Sequence, residues 1–83
     1  MSFLSAGDQA ARFPETFQLP DTSNVVKGSF VKVCWVDERF WVQVTHVQEG
    51  GNAMTGVVAN HLVRAPFAMY EEVRFVRDNI YEV

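Results

Sequence analysis

The chain has 83 residues, a formal charge of −3, 48% hydrophobic and 13% aromatic residues. That length suits one small domain (1–83), and the apolar content argues for a folded core rather than a disordered segment. Ten carboxylates against seven scattered basic residues disfavour a duplex-binding surface, which draws its affinity from a clustered basic face.

No cationic stretch followed by an apolar run opens the sequence, and no apolar run approaches ~18 residues. The expectation is a cytoplasmic chain that neither spans nor enters a membrane. The lone Cys34 rules out an internal disulfide and fits a reducing compartment.

In chain order, residues 1–24 read as a helical lead-in and loop, and 25–83 as a β-rich core. Asp8 is placed to cap a helix through Gln9-Ala10-Ala11-Arg12, because its carboxylate accepts the free N–H groups of a first turn. Pro14 interrupts that helix, which is expected over 8–18 as one or two turns. Leu19-Pro20-Asp21-Thr22-Ser23-Asn24 is a loop by composition.

From Gly28 the residues alternate. Residues 28–36, a polar turn at Asp37-Glu38-Arg39 and residues 40–47 read as a β-hairpin. Pairing Val36 with Trp41 sets Trp35 against Val42, Val33 against Val44 and Val31 against His46. Val31, Val33, Trp35, Val42 and Val44 then form a nearly pure apolar face. The other face carries Phe30, Lys32, Cys34 and Val36 against Trp41, Gln43, Thr45 and Val47. A slip of one residue would spoil the clean side.

Gln48-Glu49-Gly50-Gly51-Asn52 is a turn and Met54–Val58 a third strand. Asn60-His61 is a further turn, at which the asparagine either takes a left-handed conformation or locks the turn with its side chain. Pro66 keeps 62–67 out of a central strand. Val73 and Phe75, two apart, mark a fourth strand with Arg74 outward. Ile80 with Tyr81 or Val83 makes a last short strand or turn. The expected fold is α+β but mostly β: a small curved antiparallel sheet or SH3-like half-barrel of about five strands, with a short N-terminal helix.

These segments resemble the small bacterial and phage domains of the YegJ type, a family of unknown function. The likeness is carried by Ala10–Phe17, Val31-Lys32-Val33, Glu38–Val44, Gly56–Asn60 and Val73-Arg74-Phe75 with Ile80. It covers about residues 10 to 82. The chain departs from that pattern at His61-Leu62 and at Glu71-Glu72. The resemblance implies a β-rich domain and assigns no activity and no functional residue.

Trp41 is the foremost candidate for a partner contact, since tryptophan is enriched at binding hot spots. The competing reading has the N-terminal helix cover it, with Phe13 and Phe17 on the ring. Trp35 is expected in the core. An aromatic cage of Phe40, Trp41, Tyr70 and Phe75 would hold a cation, but nothing in the spacing demands it and aromatic residues in such barrels are usually core. His46 and His61 lack the paired spacing of a zinc site, so no metal or cofactor is implied.

Cys34 lies mid-strand, where packing explains it better than nucleophilic activation. The acids Asp37-Glu38, Glu71-Glu72, Asp78 and Glu82 belong to solvated turns, with Glu38 suited to accept N–H groups of the hairpin. Gly50-Gly51 has no lysine after it and is no phosphate loop.

The leading functional expectation is a non-enzymatic protein-interaction module using Trp41, Gln43, Phe30, Lys32 and Arg39. It binds an unidentified protein partner and is itself monomeric or weakly self-associating. A version of that reading makes the chain a phage-encoded or accessory inhibitor or regulator of a host protein. Two alternatives stand beside it. One is a nucleic-acid-binding small barrel using Lys32, Arg74 and Arg77, with Trp41 or Phe75 as stacking platforms. The other is a small enzyme using Cys34 or a carboxylate pair.

Overall fold

In the computed structural model, which describes residues 2–83, the chain forms α1 (Ala6–Arg12), β1 (Phe30–Trp35), β2 (Glu38–Val47), β3 (Ala53–Val58), β4 (Glu72–Val76) and a 3₁₀ turn at Arg77–Asn79. The four strands make one antiparallel sheet in the order β1-β2-β3-β4. The alternation read from the sequence is realised: Val31 and Val33 of β1, Phe40, Val42 and Val44 of β2, Met54 and Val58 of β3, and Val73 and Phe75 of β4 all enter one core. Residues from both outermost strands share that core, so the sheet is curved around it.

Of the five expected strands, the last is reduced to one bridge. Glu82 pairs with Lys32, and the Tyr81 N–H donates to Lys32 O at 2.7 Å. The chain leaves β4 at one margin of the sheet and returns through the 3₁₀ turn to β1 at the other. Ile80, 1% exposed, enters the core on the way.

The hairpin faces are as expected, but the register is not. Trp35 pairs with Glu38, Val33 with Phe40 and Val31 with Val42. The turn is therefore the two residues Val36-Asp37, tighter than the turn expected at 37–39. The two registers differ by an even number of residues, so every side chain keeps its face. Val36 takes φ 59°, which a β-branched residue rarely adopts. The tight connection matches the twist of the strands at that local cost. The sequence hides it, since a reader looks for glycine or asparagine there.

The helix also starts earlier than expected. Ser5, not Asp8, is its N-cap: the Ser5 Oγ accepts the Asp8 N–H at 3.1 Å. Asp78 of the 3₁₀ turn accepts from both the Ser5 hydroxyl and the Gly7 N–H, fixing the helix N-terminus to the far end of the chain. The helix ends at Arg12, and Pro14 lies in the turn beyond it.

Two features bend the middle of the sheet. The β2–β3 pairing shifts register between Val44 and His46, and the Thr45 Oγ left at the irregularity donates to Thr55 O at 3.2 Å. Directly beside it, Gly56 lets the strands approach. A Cβ built there would lie 2.4 Å from Val42 Cγ1 and 2.7 Å from Gln43 O. The second contact is backbone and cannot swing aside. Gly56→Ala should therefore cost about 1–3 kcal/mol, within the range of overpacked cores. Chemical denaturation of the two proteins measures it.

Candidate functional site

The five candidate residues lie on the outer face of the β1–β2 ladder, opposite the core. Phe30 pairs with Gln43, Lys32 with Trp41 and Cys34 with Arg39, so they form three consecutive rungs on that face. Directly opposed side chains on one face touch, and diagonal neighbours remain within reach of long side chains. The structure therefore brings Phe30, Lys32, Arg39, Trp41 and Gln43 together.

Trp41 is half-buried and Phe30 is 52% exposed. With Ala59 and Asn60 they line a depression of about 310 Å³. Asn60 fixes one wall: its Oδ1 accepts the Trp41 backbone N–H at 2.6 Å, so its side chain ties strand β2 rather than its own turn. The Ala59 N–H adds a bond to Trp41 O at 2.9 Å. The Lys32 ammonium stands 4.7 Å from the Trp41 ring centroid and pairs with Glu82 at 3.0 Å. The aromatic face and the carboxylate hold that cation between them.

Farther along the face, the Arg39 guanidinium lies 4.8 Å from the Tyr81 ring and 5.7 Å from the Phe17 ring. Tyr81 and Phe17 are 5.2 Å apart, and with Ala6 and Cys34 they make a second, smaller apolar cluster. The helix end of the chain thus covers the Cys34 rung and leaves the Phe30–Trp41 rungs uncovered. Neither side of the sequence reading holds unmodified: Phe17 caps the face at Tyr81, and Phe13 stays 51% exposed.

The cage of Phe40, Trp41, Tyr70 and Phe75 is not formed. Phe40 and Phe75 are buried in the core, Trp41 lies on the opposite face, and Tyr70 is exposed. The structure gathers Phe3, Trp35 and Phe67 instead, with centroids 4.9 to 5.7 Å apart. Rings at that spacing are in mutual contact and leave no gap for a cation. Nothing local in the sequence announces this cluster, because its members come from three distant segments. Phe75 cannot serve as a stacking platform for bases either. Arg77 is turned to the carbonyls of Gly51 and Thr22, away from any basic face shared with Lys32.

Cys34 is buried, and burial pushes its thiol pKa up despite the neighbouring Arg39 guanidinium. A raised pKa keeps it protonated at neutral pH, the opposite of what an attacking thiolate needs. Among the described residues, no three His, Cys, Asp or Glu side chains converge on a point that could hold a metal ion. Among them, too, no helix is long and apolar enough to cross a membrane.

Glu38 departs most from its sequence reading. Its carboxylate does not serve the hairpin. It accepts the N–H groups of Val63 (2.7 Å), Arg64 (2.7 Å) and Ala65 (2.8 Å), three consecutive residues of the β3–β4 connection. The Arg64 guanidinium pairs with Asp37 beside it. Comparison of the chain with known protein families, with curated proteins and with solved structures gives no match.

The three bonds, led by that from Val63, hold the Glu38 carboxyl below its ordinary 4.5. A depressed folded-state pKa stabilises the fold above the unfolded-state value, and that contribution is lost as pH falls through the folded value. At neutral pH it should be complete, and it should fade below 4.5. Glu38→Gln, which keeps the shape but not the charge, should melt at a lower temperature at pH 7. Its melting temperature should also fall less than that of the wild type as the solution is acidified through the carboxylate range. Thermal melts across that range check both expectations.

Proposed function

We propose that the chain is a non-enzymatic interaction module that takes a protein partner on the outer face of β1 and β2. One observation carries the reading: Phe30, more than half exposed, and Trp41, half-buried, sit on adjacent rungs and line one depression on the face turned from the core. A large aromatic pair seated on rigid paired strands offers apolar contact area with little side-chain freedom to lose.

Lys32, held by Trp41 and Glu82, forms a fixed polar rim, and Gln43 supplies amide donors and acceptors beside Phe30. This matches the anatomy of small interfaces, in which an aromatic centre is ringed by polar groups. The partner's chemistry follows: an apolar side chain to fill the depression, flanked by backbone or amide groups that meet Gln43. The buried, protonated Cys34 suits work in a reducing compartment such as the cytoplasm.

The test is affinity capture from host lysate with wild type, Phe30→Ser and Trp41→Ala as parallel baits, each checked by circular dichroism. Phe30 is exposed, so Phe30→Ser should change stability by no more than about 0.5 kcal/mol. It should nonetheless reduce recovery of the partner by about tenfold or more, as loss of a central contact does. Full recovery on a folded Phe30→Ser and a folded Trp41→Ala would sink the proposal, as would the absence of any wild-type partner.

A further inference from the structure

The sheet has one open margin. β1 is flanked by the Tyr81–Glu82 segment, whereas among the described residues nothing pairs with the outer side of β4. Which of its backbone groups face outward follows from the pairing with β3. Val58 N–H bonds Glu71 O and Arg77 N–H bonds Asn52 O, so the odd-numbered residues of β4 exchange hydrogen bonds with β3. The N–H and C=O groups of Glu72 and Arg74 therefore point away from the sheet. Val76 agrees with that direction: its N–H is taken by Asn79 Oδ1, from outside the ladder.

An edge of this kind is commonly protected by charge. Here the charges alternate in sign, and that changes their effect. In an antiparallel pairing of two β4 strands with Val73 on the two-fold axis, Glu72 of each copy stands directly opposite Arg74 of the other. Both residues present outward backbone groups, so each of these two rungs exchanges both of its N–H···O bonds. The opposed side chains are of opposite charge, on the same outer face.

The neighbouring registers lack this property. Centring the axis on Arg74 sets two arginines together, and centring it on Glu72 sets two glutamates together. Like charges directly opposed destabilise a pair.

Exposed apolar side chains border the charged rungs. The positions just beyond the charged rungs are 70 and 76, and both are apolar and exposed, Tyr70 at 73% and Val76 at 38%. Tyr70 itself stands in the turn before β4, at φ 68° with its N–H bonded inward to Val58 O, so it flanks the junction rather than forming a rung of it. A groove of about 670 Å³ lies beside β4, lined by that strand, by Ala53–Thr55 of β3 and by Phe3, Trp35 and Phe67.

We infer that the free edge of β4 is a self-recognition surface: two copies of this chain pair antiparallel through Glu72–Arg74 and Arg74–Glu72 rungs, joining two sheets into one. The interface is isologous and closes at two copies, because each chain has one such edge. It is separate from the Phe30–Trp41 face, which remains uncovered in the pair.

Sedimentation velocity over a range of concentrations up to millimolar tests the inference. Wild type should pass from monomer to dimer, with the transition moved to higher concentration by salt. Arg74→Glu and Glu72→Arg should each remain monomeric, since each sets like charges opposite one another, and circular dichroism should show both folded. An equimolar mixture of the two variants should dimerise again, because the two acidic side chains of one edge then oppose the two basic side chains of the other. A wild type that stays monomeric throughout overturns the inference. So does a dimer that persists in either single variant, or a mixture that fails to associate.

Discussion

The Glu38 carboxylate is the point on which the rest of the structure leans. It begins β2 and reaches the connection between β3 and β4, where three successive N–H groups would otherwise face an irregular segment with no ladder to join. By gathering Val63, Arg64 and Ala65 it seats Ala65 in the core and carries the chain to Phe67, which packs edge-on against Trp35. Phe3 then stacks on Phe67, and Leu4 N–H bonds Cys34 O, so the start of the chain is drawn onto β1. One carboxylate thus organises a long connection, and that connection organises the N-terminus.

Other parts of the domain are held by individual polar and steric ties. Asn60 locks the end of β3 to Trp41, and Gly56 permits the tight crossing at Val42 beside the Val44/His46 irregularity. Curvature there lets residues from β1 and β4 share one core. A domain this small buries a limited share of its surface, so polar ties of this kind carry a larger part of its stability than they would in a large protein. The Ser5–Asp78 contact belongs to the same set, since it holds the short α1 where packing alone would hold it weakly.

What could be read in the sequence followed the range of each interaction. Faces were legible because alternation of two is a local property, and Val31, Val33, Val42 and Val44 declare it within a few residues. The hairpin register was not, because it depends on a valine at positive φ that no turn preference suggests. The candidate surface survived that error, since an even shift preserves which residues share a face. The cap was misplaced by three residues because Asp8 and Ser5 are both good caps, and contact with Asp78, seventy-three residues beyond Ser5, is what selects between them. The Phe3–Trp35–Phe67 cluster and the reach of Glu38 were illegible for the same reason. Each joins segments that only the completed fold brings together.

Cys34 gives the molecule an internal gauge of its own motion. The thiol is roofed by Ala6 from the helix and by Tyr81 from the returning C-terminal segment. A reagent in solution can meet it only while one of those lids is raised. Its rate of modification is therefore the rate, or the population, of lid opening, multiplied by ordinary thiol chemistry. The two lids are joined through the Tyr81 hydroxyl, which donates to Ser5 O at 3.3 Å just before α1, and through Asp78. A single sulfur atom therefore sits beneath the junction of both ends of the chain.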